Sequence, residues 1–248
     1  MKTLLIILAF SMFFSDAGAQ KKNKQGIPCD TIVTNMNGKG QELQLIFTRG
    51  PKHNHPIIAI WAEDMNGRYI QTLYVSYSMG KGIFEHGQEK EGKWAPGERR
   101  RPAALPYWAY KRKIMASDGL YVPDRHTQVP DAYTGATPQK SFVLNTRSDE
   151  TFKGPFRLLF EINQAFDFND YWHNNLYPDD EQYKTSAQPS IVYAVTIDPE
   201  NPEEVYYMNP IGHGHYSGKD GKLYTNLTTL TSALKITETI KVIWKKGN

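Results

Sequence analysis

At 248 residues with a single cysteine, the chain cannot be a disulfide-stapled scaffold and must bury a core of its own. Its net charge of +3 is modest. The basic clusters Lys21-Lys22, Arg99-Arg100-Arg101, Lys111-Arg112-Lys113 and Lys245-Lys246 read as solvated faces, which leaves an anionic cofactor or membrane surface open; export, argued next, speaks against nucleic acid as a partner.

The N-terminus carries Lys2, an apolar run over residues 4–14 and the small residues Ala17-Gly18-Ala19. The run is too short to span a bilayer and ends in a cleavage pattern. Residues 1–19 therefore read as a secretory signal, with the mature chain starting at Gln20 in the periplasm or outside the cell. Residues 20–28 are polar and read as a flexible leader. Residues 29–248 read as one domain, since no repeat or low-complexity linker interrupts them.

Period-2 patterning begins with Leu43, Leu45 and Phe47. Residues 57–62 and 68–76 read as a β-hairpin, with Asn66-Gly67 supplying positive φ for a type I′ turn. The run from Ile57 is too apolar to lie exposed, so Ile60 or Trp61 must face the core. Residues 78–117 read as a long irregular insertion. Within it, 102–112 allows one short helix, with Leu105, Trp108 and Ala109 on one side and Pro106 near its first turn. Further strands are expected at 141–145, 156–163, 190–197, 204–208 and 239–244. Leu227, Leu230 and Leu234 sit at helical spacing and suggest a short helical turn. Many short strands and little helix predict an all-β fold: an antiparallel, Ig-like β-sandwich with long irregular loops and one or two short helices.

The segment of chemical interest is 131–141, "DAYTGATPQKS". Asp131, Thr134, Gly135, Ala136 and Thr137 fit the pattern Asp-x-x-Ser/Thr-Gly-Ala-Ser/Thr, bracketed by Pro130 and Pro138. This pattern resembles the acceptor motif of proteins modified by an exported flavin transferase, among them the flavin-carrying subunits of sodium-pumping quinone reductases. In such proteins the final hydroxyl takes FMN through a phosphoester, and here that residue is Thr137. The wider chain resembles the periplasmic β-rich proteins of domain-of-unknown-function family 2271, through "IIAIWAEDMNGRYIQTLYV", "DAYTGATP", "LLFEIN" and "GHGHYSGKDGKLYTNLTTLTSAL". Together the resemblances imply an exported flavin carrier, with FMN as cofactor, an exported flavin transferase as partner and a second redox protein, membrane-bound or not, as electron partner.

The residue types suit that chemistry. A threonine hydroxyl is a poor nucleophile unaided and needs a base and usually a metal, both of which the transferase would supply. Gly135 and Ala136 add no bulk beside the hydroxyl, and Gly135 would let an open loop bend into a foreign active site. Asp131 would orient the loop or meet the enzyme's cation. The flavin ring would need aromatic faces and its phosphate cations. Tyr107, Trp108, Tyr110 and Tyr133 are near in sequence, as are residues 99–101 and 111–113, though nothing in the sequence selects among them.

Two other readings compete. His53 and His55, and His213 and His215, form two His-x-His pairs that together would suit zinc or copper. Neither pair lies in a clean strand pattern, and they are expected at opposite ends of the domain as surface or structural residues. Residues 167–183, "DFNDYWHNNLYPDDEQY", are acidic and aromatic and would suit a sugar, a cation or a protein partner. They lack calcium-loop spacing and read as an exposed loop. No nucleophile elbow, phosphate-binding loop or dinucleotide fingerprint is present, so an electron carrier fits better than a stand-alone enzyme.

Overall fold

The computed structural model describes residues 29–245; the signal and leader expected at 1–28 lie outside them. Two sheets face each other. One has five strands, in the spatial order β1 (Cys29–Thr34), β8 (Ser141–Arg147), β2 (Glu42–Arg49), β13 (Thr237–Trp244), β11 (Val205–Tyr207). The other has six, in the order β12 (Asn209–His213), β10 (Ile191–Ile197), β9 (Phe156–Asn163), β3 (Ile57–Asp64), β4 (Tyr69–Ser76), β7 (Thr134–Gly135). Pairing is antiparallel except at two edges: β1 runs parallel to β8, and β7 parallel to β4. The all-β, sandwich-type fold agrees with the sequence reading; it departs in those two parallel edge pairs and in holding three short α-helices among the described residues instead of one or two. Among the described residues no helix is long and apolar enough to cross a membrane.

The space between the sheets is filled by alternate residues of the facing strands. Leu43, Leu45 and Phe47 of β2 point inward while their neighbours are partly exposed. The Phe47 ring lies 5.0 Å from Phe142 in its own sheet and 5.7 Å from Phe160 in the other, so one aromatic stack ties both layers. Buried side chains of this size contribute about 1.5–3 kcal/mol each, before the entropy they lose.

Strand β3 does not alternate, because both of its faces are covered. Ile58, Ile60 and Ala62 enter the inter-sheet core. Ile57, Ala59 and Trp61 meet a second cluster on the outer face, built from Leu105, Trp108, Val122 and Val129 around helix α2 (Pro106–Lys111). Ile60 and Trp61 are both buried, on opposite sides of the sheet. The continuous apolar run is the signature of this two-sided burial.

The 78–117 insertion is therefore not irregular. It contains α1 (Tyr77–Lys81), a free-standing hairpin of β5 (Ile83–Lys90) and β6 (Lys93–Glu98), and α2, which makes a third layer. Helix α2 is shorter than the 102–112 allowed by pattern, because Pro106 takes the first helical position. The buried Glu161 carboxylate of β9 accepts from the Tyr107 and Trp108 amides at 3.2 and 2.7 Å, satisfying that helix end.

The turn chemistry is reversed from expectation. At the β3–β4 connection the Gly67 amide donates to the Asp64 carbonyl at 2.9 Å, and the Asp64 amide to the Arg68 carbonyl at 2.9 Å. Gly67 alone has positive φ, at +74°, so this is a three-residue loop ending in a left-handed glycine, not a type I′ turn at Asn66-Gly67. The type I′ requirement of two successive positive φ values is met instead at Glu91 (φ +51°) and Gly92 (φ +74°), between β5 and β6. Glu-Gly is a poor advertisement for such a turn, which hid the hairpin.

Residues 167–183 also differ from the exposed loop expected. Trp172 and Tyr183 are buried in the inter-sheet core, and 181–186 form helix α3, capped by the Asp180 carboxylate accepting from the Gln182 and Tyr183 amides. Of the 227–234 leucine spacing, only a single 3-10 turn at Ala233–Lys235 is helical.

Candidate functional site

The heptad 131–137 lies along the edge of the six-stranded sheet. Asp131, Ala132 and Tyr133 form one 3-10 turn, and Thr134 and Gly135 form β7 beside Val75 and Ser76 of β4. The segment is tethered at several points. The Asn35 amide donates to the Ala132 carbonyl at 2.9 Å, and the Tyr133 hydroxyl reaches the Asp149 carboxylate at 2.8 Å. Burial and that carboxylate push the Tyr133 hydroxyl up to about 12. The buried Lys81 ammonium pairs with Asp131 and donates to the Val129 carbonyl at 2.7 Å. Asp131 thus has a local structural role in the turn, with its own side chain 89% exposed.

Gly135 is not the flexible hinge that the sequence suggested. It lies in a strand and outside the positive-φ set. A Cβ at this position would stand 2.9 Å from Cε2 of Tyr74, so glycine is needed for close approach of the backbone to that ring. Beyond β7 the chain leaves the sheet. Ala136 is exposed, Thr137 is partly exposed on irregular backbone, and Pro138 is buried. The Thr137 carbonyl accepts from Gln139 Nε2 at 3.1 Å. Its hydroxyl has no hydrogen-bond partner among the described residues.

Ala136 and Thr137 open onto a cavity of about 800 Å³, at the end of the sheet where β3 begins and β4 and β7 end. Its aromatic lining comes from three parts of the chain: Tyr77 of α1, Phe84 and Trp94 of the β5–β6 hairpin, and Phe166 after β9. Three of these rings are unusually open for their type, at 50% for Tyr77, 59% for Trp94 and 63% for Phe166. Phe166 and His55, both lining residues, hold positive φ at +57° and +52°. Bulky side chains in the left-handed region cost roughly 1 kcal/mol or more each, and such strain tends to collect at working sites.

The charged lining is Arg99 and Arg101 together with the carboxylate of Glu85, and His55 and His86 add imidazoles. Arg100, between the two arginines, turns away to a bidentate pairing with Asp118 at 2.8 and 3.1 Å. Arg99 and Arg101 have no ion pair among the described residues. Arg101 lies 5.4 Å from the centre of the Phe84 ring and donates to the Thr185 carbonyl at 3.3 Å. Burial and then the charge of Arg99 push its guanidinium below its ordinary value, which means positive charge at this point lacks compensation.

Two of the other aromatic candidates belong to the core, and Tyr110 is partly exposed. Tyr107 and Trp108 are buried against the outer sheet face, with Lys111 and Arg112 lying over them. Tyr110 stacks on Tyr121 at 4.2 Å. The rings that do line the cavity were missed, because the hairpin carrying Phe84 and Trp94 is unmarked by any familiar turn signal. The one available hint was a tryptophan in a polar run, "EKEGKW".

The two His-x-His pairs are not at opposite ends. His213 pairs with Ile191, Ile191 with Ile162, and Ile162 with Ile58, so both pairs lie at the same end of the six-stranded sheet. They are three strand spacings apart, about 14 Å at ~4.8 Å per strand, too far for common coordination bonds. Among the described residues no group of three or more His, Cys, Asp or Glu is arranged to hold a metal. Burial depresses the basicity of His213 and His215, which stack on Tyr224 and Tyr216 respectively.

The fold and this cavity define a β-sandwich-type protein with an open cavity, lined by aromatic rings and two arginines, beside a threonine hydroxyl without a hydrogen-bond partner among the described residues. No family model matches the chain, and neither a curated protein nor a solved structure shows significant similarity to it. The resemblance to flavin acceptors and to the periplasmic family therefore stands on the motif residues alone.

Proposed function

We propose that this protein is an exported electron carrier that bears FMN on Thr137. The observation that carries the reading is the position of Thr137. It ends the heptad, it is partly exposed, and it opens onto a cavity with aromatic walls and two arginines that make no ion pair among the described residues. The residues present fit the group: rings for a planar heterocycle, cations for a phosphate and a hydroxyl for the ester. Once attached, the flavin would supply the reversible electron uptake that no side chain of this protein offers.

Attachment balances simply. The Thr137 oxygen bonds to the flavin-side phosphorus of a flavin dinucleotide, the phosphoanhydride P–O bond breaks, and the nucleoside monophosphate leaves with the bridging oxygen. The threonine proton passes to a base on the transferase. The roles of this chain are to present the hydroxyl, through the β4–β7 pairing and the Asp131–Lys81 contact, and to house the ring afterwards. Electron donor and acceptor are then other extracytoplasmic redox proteins.

Intact mass of the protein purified from its native host, with the transferase active, tests this. The expected gain is that of FMN less one water, with a flavin-fluorescent band in a denaturing gel, both absent from Thr137→Ala. An unmodified native protein, or label persisting in Thr137→Ala, overturns the assignment. A second reading, a binding module without flavin, draws on the same open rings, since Trp94 and Tyr77 would also stack on a sugar face. It requires the native mass to be unmodified.

A further inference from the structure

The β5–β6 hairpin touches the rest of the protein mainly near its base. Its strands pair with each other, and the Arg99 amide donates to the Gly82 carbonyl at 3.0 Å to close that base. On the cavity side it presents Phe84, His86 and Trp94, and its exit strand leads directly into Arg99 and Arg101. Phe166 lines the same cavity, exposed although its backbone is held in the left-handed region. Arg99 is exposed and Arg101 partly buried, neither makes an ion pair among the described residues, and an arginine fork matches phosphate geometry.

We infer that this cavity is a preformed site for a planar aromatic phosphate ester, with Arg99 and Arg101 binding the phosphate and Trp94 and Phe166 flanking the ring system. The choice of FMN as that ester rests on the carrier reading; the anion pole and the ring walls rest on the geometry. The volume of about 800 Å³ is within the range of small-molecule sites and admits a three-ring heterocycle with a short phosphorylated chain. When the ester is joined to Thr137, its phosphate retains one negative charge beside the two guanidiniums. The site therefore recognises the cofactor before, and independently of, covalent attachment.

Thr137→Ala, made as the mature chain without any transferase, isolates the non-covalent event. Titration with FMN and with riboflavin, read by quenching of flavin fluorescence, should show FMN bound at least about tenfold more tightly than riboflavin. Inorganic phosphate should compete with FMN and leave riboflavin unaffected. Adding Arg99→Gln and Arg101→Gln should bring FMN down to the riboflavin level, whereas Trp94→Ala should weaken both flavins by a similar factor. Binding of neither flavin, equal affinity for the two, or indifference to phosphate overturns the proposal. If the double arginine variant does not fold by circular dichroism, the phosphate competition, which needs no arginine substitution, decides. A native protein that carries FMN while Thr137→Ala binds neither flavin overturns this site and leaves the carrier reading intact. Tight FMN binding by a protein that the transferase never modifies does the reverse.

Discussion

The hydroxyl of Tyr74 donates a 2.8 Å hydrogen bond to the carbonyl of Ala136, one residue before the candidate acceptor Thr137. Tyr74 is fully buried, and burial raises its hydroxyl well above the ordinary range, so it stays a donor at any working pH. Its ring also fills the space that a side chain at Gly135 would need. The edge strand β7 is thus held to the body by one aromatic residue acting through both its face and its tip.

Tyr74→Phe should cost about 1 kcal/mol, since the exposed Ala136 carbonyl can turn to water. Gly135→Ala should cost more, about 1–3 kcal/mol, because its Cβ drives into the ring or displaces the strand. Urea unfolding of the two variants measures the order. A neutral Gly135→Ala would show that β7 does not pack as closely as described.

The two threonines of the heptad should separate in labelling. Thr134 sits in β7 with its hydroxyl directed to the Asp131 carbonyl at 3.3 Å, and Thr134→Ala should slow FMN incorporation without stopping it. Thr137→Ser should retain much of the incorporation, since a serine hydroxyl offers the same bond with less bulk. The measurement is flavin fluorescence per protein after co-expression with an exported flavin transferase. Equal loss in Thr134→Ala and Thr137→Ala would leave the acceptor unassigned between them.

Glu161 should make the protein less stable as pH rises. Burial lifts its carboxyl from 4.5 to about 7, with bonds from Ser190 and the Trp108 and Tyr107 amides opposing the rise. Below about pH 4.5 the group is protonated both folded and unfolded and contributes no pH dependence. Between about 4.5 and 7 the folded state holds a proton that the unfolded state has released, so stability falls with pH; above 7 the loss is complete. The fall amounts to about 3 kcal/mol. Glu161→Gln should flatten that part of the stability profile, read by urea unfolding from pH 4 to about pH 8. An unchanged slope would refute the assignment to this residue.

The β3–β4 turn can be tested through its two central candidates. Gly67→Ala places a side chain at φ +74° and should cost about 1–2 kcal/mol. Asn66→Ala should be nearly neutral in backbone terms, because Asn66 is not in the left-handed region. Comparable costs at both positions in thermal or urea unfolding would instead support a type I′ turn.

Much of the framework was legible because it depends on local pattern. The alternation through Leu43, Leu45 and Phe47 fixed which face of β2 is buried, and the unbroken apolar run from Ile57 foretold a strand without a solvent side. Strand β9 was placed at its observed bounds, Phe156–Asn163, since β-rich sequence between turn residues leaves little alternative. Where a local signal had two physical uses, it misled. Asn66-Gly67 serves equally a type I′ turn and a left-handed glycine closing a longer loop. Gly135 serves equally flexibility and close packing, and only the ring of Tyr74 decides between them.

By itself, the sequence determined a β-rich core, its strand periodicity and one loop whose residues suit acceptance of a phosphoester. Only the tertiary structure decided what surrounds Thr137. Trp94, Arg99, Arg101 and Phe166 reach the same cavity from a hairpin and from the far end of β9, more than sixty residues apart at their extremes. No periodicity encodes such a meeting, because it follows from strand order and loop closure across two sheets. The same is true of the arginines: a run of three basic residues looks like a solvated face until the fold pairs Arg100 with Asp118 and leaves its two neighbours lining the cavity with no ion pair among the described residues.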